Sequence, residues 1–320
     1  MQRRQFGATL LAGAAALGFP CIARAQGKVI RVIVPFTAGS GSDEGARFYA
    51  EQIGKALGRP IVVENKPGAS GLIAVRTVLS EPADGNTILL GSNSLIAVNP
   101  VMVKNLGYDP FKDLVPLHGL AISAAAFVTG NDSPCHTIAD VVARYKASGK
   151  PISVGNYSEG YRLVGEWLAQ ATGIKTTPVP YKGGAPMVTD LVGNRLDIAL
   201  NDITGIAPMA KAGKLRVLAI TGAVRDKLLP NVPTMKEAGY ADFESYVWSS
   251  FSMKAGTPQD KLKELAAAIA ATQKTEEARA YQAKRAGTFL SKALGELGDF
   301  QRAEYQRFKR VAEKANILPA

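Results

Sequence analysis

Between Val34 and Arg47 the chain reads VPFTAGSGSDEGAR, and its small residues are spaced in a way that can do chemistry. The apolar run VIRVIVPF predicts a buried strand, and from Ser42 to Leu57 apolar residues recur at helical intervals. Gly39, Gly41 and Gly45 therefore fall where a strand hands over to a helix. Such a turn presents free backbone amides at the positive end of a helix dipole, a setting that holds a small anion. The phosphate of a nucleotide and the carboxylate of a solute both qualify. Thr37, Ser40 and Ser42 add hydroxyls, with Ser42 the expected helix cap, while Asp43 and Glu44 complement the dipole.

The nucleotide reading is the sharpest enzyme hypothesis. Gly39, Gly41 and Gly45 give a G-x-G-x-x-x-G spacing, and Glu64 ends the next apolar run where a ribose-binding acid belongs, as in an NAD(P)-dependent oxidoreductase. Three observations weigh against it. Pro35, Phe36, Thr37 and Ala38 intervene between strand and glycines, Glu64 is followed by the tight turn Asn65-Lys66-Pro67-Gly68, and an exported protein meets little NAD(P). There is no G-x-x-x-x-G-K-[ST] loop and no G-x-S-x-G elbow, and His118 and His136 lack a nucleophile partner or ligand-spaced cluster. The expectation is a protein that is not an enzyme and that needs neither cofactor nor metal.

The elements that must position this turn follow from the rest of the chain. Residues 1–25 have a basic start, an apolar run and the small-residue site Ala23-Arg24-Ala25, which predicts an export signal cleaved after Ala25. Arg3-Arg4 followed by Phe6 resembles a twin-arginine signal, and a general secretory signal fits equally well. A membrane anchor fits poorly, because the run from Phe6 to Ile22 is short and broken by glycines and Pro20. Loss of Arg3, Arg4 and Arg24 takes the formal charge from +11 to +8, with basic residues interspersed among acids rather than gathered, so nucleic acid is not an expected partner. Of two cysteines, Cys21 leaves with the signal and Cys135 stays alone, so no intramolecular disulfide forms.

Strand-like runs alternate with helical patterns: VIRVIVPF, PIVVEN and NTILLGS in the first half, and PISVGN, TTPVPY, LDIALN and LRVLAIT in the second. That is the rhythm of βαβ units around parallel sheets, in two lobes. The stretch from Tyr108 to Pro134 reads as an irregular crossing between lobes, and FESYVWSSFSM as a second crossing. Helices over Asp260–Gln273 and Leu294–Ala315 are expected to pack back on the first lobe.

The segments VIVPFTAGSGSDEGAR, VVENKPGASGLIA, PADGNTILLGSNS, YDPFKDLVPL, PVPYKGGAPMVTDLVGNRLDIAL, GKLRVLAITGAVRDKLLPNVPTMKEAG and Trp248 to Pro258 occur in that order along nearly the whole mature chain. Together they resemble the solute-binding receptors of tripartite tricarboxylate transporters, also called Bug-type receptors. The resemblance implies a periplasmic, two-lobed α/β protein of the type II binding-protein fold, a Venus flytrap in which each lobe is a mainly parallel sheet flanked by helices. It implies lobe 1 over residues 26–122 and 248–320, lobe 2 over 123–247, and a small carboxylate held between them. It further implies a monomer that works with the large and small subunits of a membrane transporter, or with a sensor. Carried onto this chain, the lobe-1 contacts are Phe36, Thr37, Ala38, Gly39, Ser40, Gly41 and Asp43, with Ser70, Ser92 and Asn93 nearby. The lobe-2 contacts are Asn156, Tyr157, Ser158, Tyr161, Arg162, Tyr181, Lys182, Gly183, Gly184 and Asp202.

One segment departs from the family. GNYSEGYRLVGEWL carries Arg162 where relatives usually have a histidine, and adds Tyr157, Glu159 and Tyr161. An arginine fork suits a second carboxylate and the tyrosines suit an aromatic acid, so a dicarboxylate or aromatic carboxylate is expected; pairing of Arg162 with Glu159 or Glu166 is the alternative. Lys182 reads either as a long-range attraction for anions or as a solvated loop residue, Asp202 as a ligand contact or a helix cap, and Trp248 as a core or hinge residue rather than a cleft wall.

Overall fold

The computed structural model describes residues 28–314, 316 and 317; the expected export signal and its cleavage site lie outside the described residues. The first lobe opens with β1 (Ile30–Val34), α1 (Gly41–Leu57), β2 (Ile61–Asn65), α2 (Leu72–Ser80) and β3 (Thr87–Ser92). β1 runs parallel to both β2 and β3, the arrangement that a strand buried on both faces and followed by crossover helices demands. A π-helical turn over Ser94–Val98 runs into the short α3 (Asn99–Met102).

The stretch expected to be irregular contains the longest strand of the protein, β4 (Leu114–Gly130). Pro116, His118 and Gly119 look like interruptions in the sequence, yet they sit where the register against β9 (Tyr246–Lys254) shifts, at Pro116/His118 and Gly119/Ala121. A bulge needs no ladder hydrogen bond from proline, and it bends the strand. β4 pairs with β9 from Leu114 to Ala124 and then, from Ala125 onward, lies in the sheet of the second lobe. The two lobes thus share one strand.

The second lobe comprises α4 (Ile138–Ser148), β5 (Ile152–Asn156), α5 (Glu159–Thr172), β6 (Thr176–Pro180), α6 (Gly184–Val192), β7 (Ile198–Asp202), α7 (Ile203–Lys211) and β8 (Leu215–Ile220). β5 is parallel to β6 and β7, whereas β4 pairs antiparallel with β7 and β8. After β9 the chain adds α8 (Gln259–Thr272), α9 (Glu276–Ala283), the short β10 (Thr288–Phe289) paired with β4, and α10 (Leu294–Lys314). Continuous hydrogen bonding links the strands in the order β2-β1-β3-β9-β4-β7-β5-β6, so parallel units in each lobe meet at an antiparallel centre.

Two smaller apolar clusters fill the individual lobes, and a third is common to both. The shared cluster joins Leu95, Ile96 and Val98 of the first lobe to Tyr161, Val164 and Leu168 on α5, with Trp248 and Phe308. His118, 2% exposed, places Nδ1 2.6 Å from the carbonyl of Gly119; burial holds it below its ordinary pKa and makes it structural.

The glycine turn is held from beneath. Ser40, not Ser42, caps α1, its Oγ accepting from the amide of Asp43 at 3.2 Å. The Asp43 side chain is 3% exposed and accepts from the amide of Gly39 at 2.9 Å, from Asn65 Nδ2 at 2.8 Å and from Arg47 Nε at 3.0 Å. Asn65, at the end of β2, also donates to the carbonyl of Phe36 at 3.0 Å. Gly39 takes a φ of +77°, which a side chain would strain.

Burial opposes ionisation of Asp43, but Arg47 and the Gly39 and Asn65 amides outweigh it and hold the carboxyl below its ordinary 3.8. Its contribution to stability is therefore complete above that value and is lost as pH falls through the lower folded-state pKa. Asp43→Asn is expected to cost about 1–3 kcal/mol at neutral pH. Thermal melts of both proteins across a pH series check this: the gap should narrow below about pH 4. Gly287, just before β10, takes a φ of +77°. A Cβ there would stand 2.1 Å from the carbonyl oxygen of Ile122 and 2.5 Å from Ser123 Cβ. Gly287→Ala is expected to destabilise by roughly 2 kcal/mol or more, read as a lower denaturant midpoint with unchanged slope.

Candidate ligand-binding site

A cavity of about 690 Å³ lies between the lobes, within the range that holds a small organic ligand. It sits at the carboxyl ends of the parallel strands, where α/β proteins place ligands because crossover helices begin there. Ser40, Gly41 and Ser42 line it at the start of α1, and Ser94 at the start of the π-helical turn. Across the cleft Ser158 caps α5 by accepting from the amide of Tyr161 at 3.3 Å, Gly183 and Gly184 open α6, and Asp202 caps α7 by accepting from the amide of Gly205 at 2.7 Å. Helix starts from both lobes therefore converge on one volume. The first turn of a helix carries amides without intrahelical carbonyl partners and the positive end of the dipole, which together favour an anion.

Hydroxyls and amides supplement these donors: Thr37, Ser92, Asn93, Ser123, Asn201, Thr204 and Ser249 all line the cavity. An apolar surface from Leu90, Leu120, Val188, Met209, Val247 and Trp248 suits a short carbon skeleton. The charged lining residues are Lys182, Arg285 and Asp202. On the second-lobe side the Tyr157 hydroxyl lies 3.0 Å from Asn201 Oδ1, 3.3 Å from Asp202 Oδ2 and 3.3 Å from the Tyr161 hydroxyl. Burial, with Tyr161 and Asp202 beside it, pushes the Tyr157 phenol well above its ordinary pKa, so it stays a neutral donor.

Of the residues expected at the site, Phe36, Thr37, Ala38, Gly39, Ser40, Gly41, Ser92, Asn93, Tyr157, Ser158, Tyr161, Lys182, Gly183, Gly184 and Asp202 line this cavity. Five stand away from it. Asp43 is engaged beneath the glycine turn. Ser70 is exposed in a tight turn at φ +51°, and its carbonyl accepts from Asn99 Nδ2 at 3.0 Å. Asn156 is buried at the end of β5, where its carbonyl accepts from the amide of Tyr181, and the Tyr181 hydroxyl donates to Asp190 at 2.8 Å. Arg162 places Nε 2.8 Å from Glu159 Oε2 and 3.8 Å from Glu166 Oε1. Spacings of three and four residues put all three on one face of α5, so the guanidinium faces acids of its own helix, the alternative the sequence left open, and Arg162 is not among the residues lining the cavity.

Trp248 combines two roles that the sequence set against each other. It is 3% exposed, donates from Nε1 to Glu304 at 3.3 Å and meets Phe300 edge to face, yet it also lines the cavity. Sequence reasoning missed Tyr281, Gln282, Arg285 and Ala286, which reach the cavity from the end of α9 and the segment after it. No local motif marks them; tertiary return of the chain brings them in. Glu64, the candidate ribose acid, does not line the cavity and instead grips Arg31 at 2.6 and 3.0 Å. Among the described residues no group of three or more His, Cys, Asp or Glu is placed to hold a metal, and no helix is long and apolar enough to cross a membrane.

The profile of the family described as "Tripartite tricarboxylate transporter family receptor" matches residues 46–317. A UPF0065 protein of Bordetella bronchiseptica is 36% identical over 209 residues, which is 65% of this chain and 62% of that protein, so the match spans less than two thirds of the relative. Among solved structures, R. palustris Rpa4515 with adipate superposes with a TM-score of 0.86 at 29% identity, covering 92% of this chain and 99% of that one. MatC from Rhodopseudomonas palustris with bound malate gives 0.82 at 25% identity, covering 88% and 98%. With a two-lobed fold of the periplasmic binding-protein type and a family match across most of its length, the chain belongs to the receptor family of the tripartite tricarboxylate transporters.

Proposed function

We propose that this protein is a periplasmic receptor that captures a small organic acid in the interlobe cavity and delivers it to a tripartite tricarboxylate-type membrane transporter. The observation that carries the reading is the convergence of the starts of α1, α5, α6 and α7 on one cavity lined by neutral hydroxyls and amides. Such a site desolvates a carboxylate and grips it through many modest hydrogen bonds. Adipate and malate, carried by two related structures, are acids of this kind.

In this reading residues 26–122 and 248–320 form one lobe and 123–247 the other, rocking about β4 and β9. The closed form of the monomer is what the large and small transporter subunits recognise. The protein performs no chemistry on its ligand. The engagement of Glu64 with Arg31 and the absence of Glu64 from the cavity speak against the nucleotide alternative.

Thermal unfolding of residues 26–320 against mono-, di- and tricarboxylic acids, aromatic acids, amino acids, nicotinamide and NAD(P)H tests the reading. A ligand at a thousand times its Kd stabilises by about 4 kcal/mol and raises the midpoint by several degrees. A rise with one class of acid is the expected result; a rise with NAD(P)H and with no acid would overturn it. For the delivery step, cells carrying the two membrane subunits should lose uptake of that acid when the receptor is removed.

A further inference from the structure

The end of α9 and the segment after it bring to the cavity a cluster that the receptor reading leaves unused. The Arg285 guanidinium lies beside the glycine turn, with Nη1 3.6 Å from where a Cβ on Gly41 would be. It rests 4.5 Å above the centre of the Tyr281 ring, which stacks on Phe48 of α1 at 4.2 Å and 7°. Its carboxylate partner is Glu44, in the first turn of α1. Glu44 is 56% exposed whereas Arg285 is 19% exposed, so the pair is weighted toward the cavity on one side and toward solvent on the other. The Tyr281 hydroxyl is buried with no acceptor for its proton among the described residues, 3.7 Å from where a Cβ on Gly45 would be. The amide of Ala286 donates to Thr204 Oγ1 on α7 at 2.9 Å, which ties the cluster to the second lobe as well as the first.

We propose that Arg285 and Tyr281 form a carboxylate subsite that selects acids with two carboxylates, one of which displaces Glu44 from Arg285. The inference rests on the receptor reading above and adds the residues that choose among acids. An ion pair with a largely exposed glutamate is weak and easily exchanged. A ligand carboxylate inside the cleft meets a planar guanidinium fork shielded from water and a hydroxyl that lacks an acceptor, so it gains bonds that Glu44 does not make. The other carboxylate is received by amides at the remaining helix starts, and the cavity volume accommodates both ends. A monocarboxylate bound at those starts leaves Arg285 on Glu44.

Titration calorimetry with length-matched pairs, succinate and butyrate, adipate and hexanoate, terephthalate and benzoate, tests the proposal. The wild-type protein should bind the diacid of at least one pair ten or more times more tightly than its monoacid. Arg285→Ala should cut that ratio tenfold or more, Arg285→Lys should cut it less, and Glu44→Gln, by removing the competitor, should raise it severalfold. Arg162→Ala, which removes a guanidinium outside the cavity, should leave the ratio within twofold. Should Arg285→Ala fail to fold, the lysine and Glu44 variants carry the same test in opposite directions. Firm binding of monoacids with no diacid preference would overturn the subsite and leave the receptor standing, as would a ratio that responds to Arg162→Ala and not to Arg285. Silence toward every acid, in calorimetry and in melting, would overturn both.

Discussion

The buried carboxylate of Asp43 is the contact on which the site depends. A loop of small residues between β1 and α1 has little side-chain packing to fix it, and its amides would otherwise find water or each other. Asp43 takes the Gly39 amide from the loop, Asn65 from the end of β2 and Arg47 from the next turn of α1, so strand, loop and helix meet at one charged group. Ser40, Gly41 and Ser42, which line the cavity, are held in place by these contacts. Preorganisation of this kind is what lets neutral donors hold an anion firmly, because little ordering remains to be done when the ligand arrives.

The second constraint is the sharing of β4 between sheets. Bulges at Pro116/His118 and Gly119/Ala121 bend it before it enters the second lobe, and a further register shift at Phe127/Val128 accompanies the change of partner from one part of β8 to the next. A single long strand of this form sets the angle at which the two families of helix starts face each other. The cavity is a product of that angle as much as of its lining residues.

Much of the fold was legible in the sequence because parallel strands buried on both faces read as apolar runs and their crossover helices read as periodic ones. The glycine turn was legible for the same reason: its position between strand and helix is a local fact. β4 was not, since proline, histidine and glycine signal interruption locally and only the partner strand reveals a bulge. Arg162 and Arg285 show the limit most plainly. The first stands next to a family motif and reads as a ligand contact, but helical spacing turns it toward Glu159. The second sits in a featureless run, AYQAKRAG, far along the chain from the glycine turn it adjoins, and reaches the cavity because β10 pins its segment to β4.

The apolar cluster common to both lobes binds them along one side of the molecule. Leu95 and Ile96 on one lobe and Tyr161, Val164 and Leu168 on the other are buried in a single body. Wetting any one of them costs roughly 1.5–3 kcal/mol, so a wide separation of the lobes would be prohibitive. Any movement of the lobes that keeps these side chains in contact therefore costs far less than one that parts them.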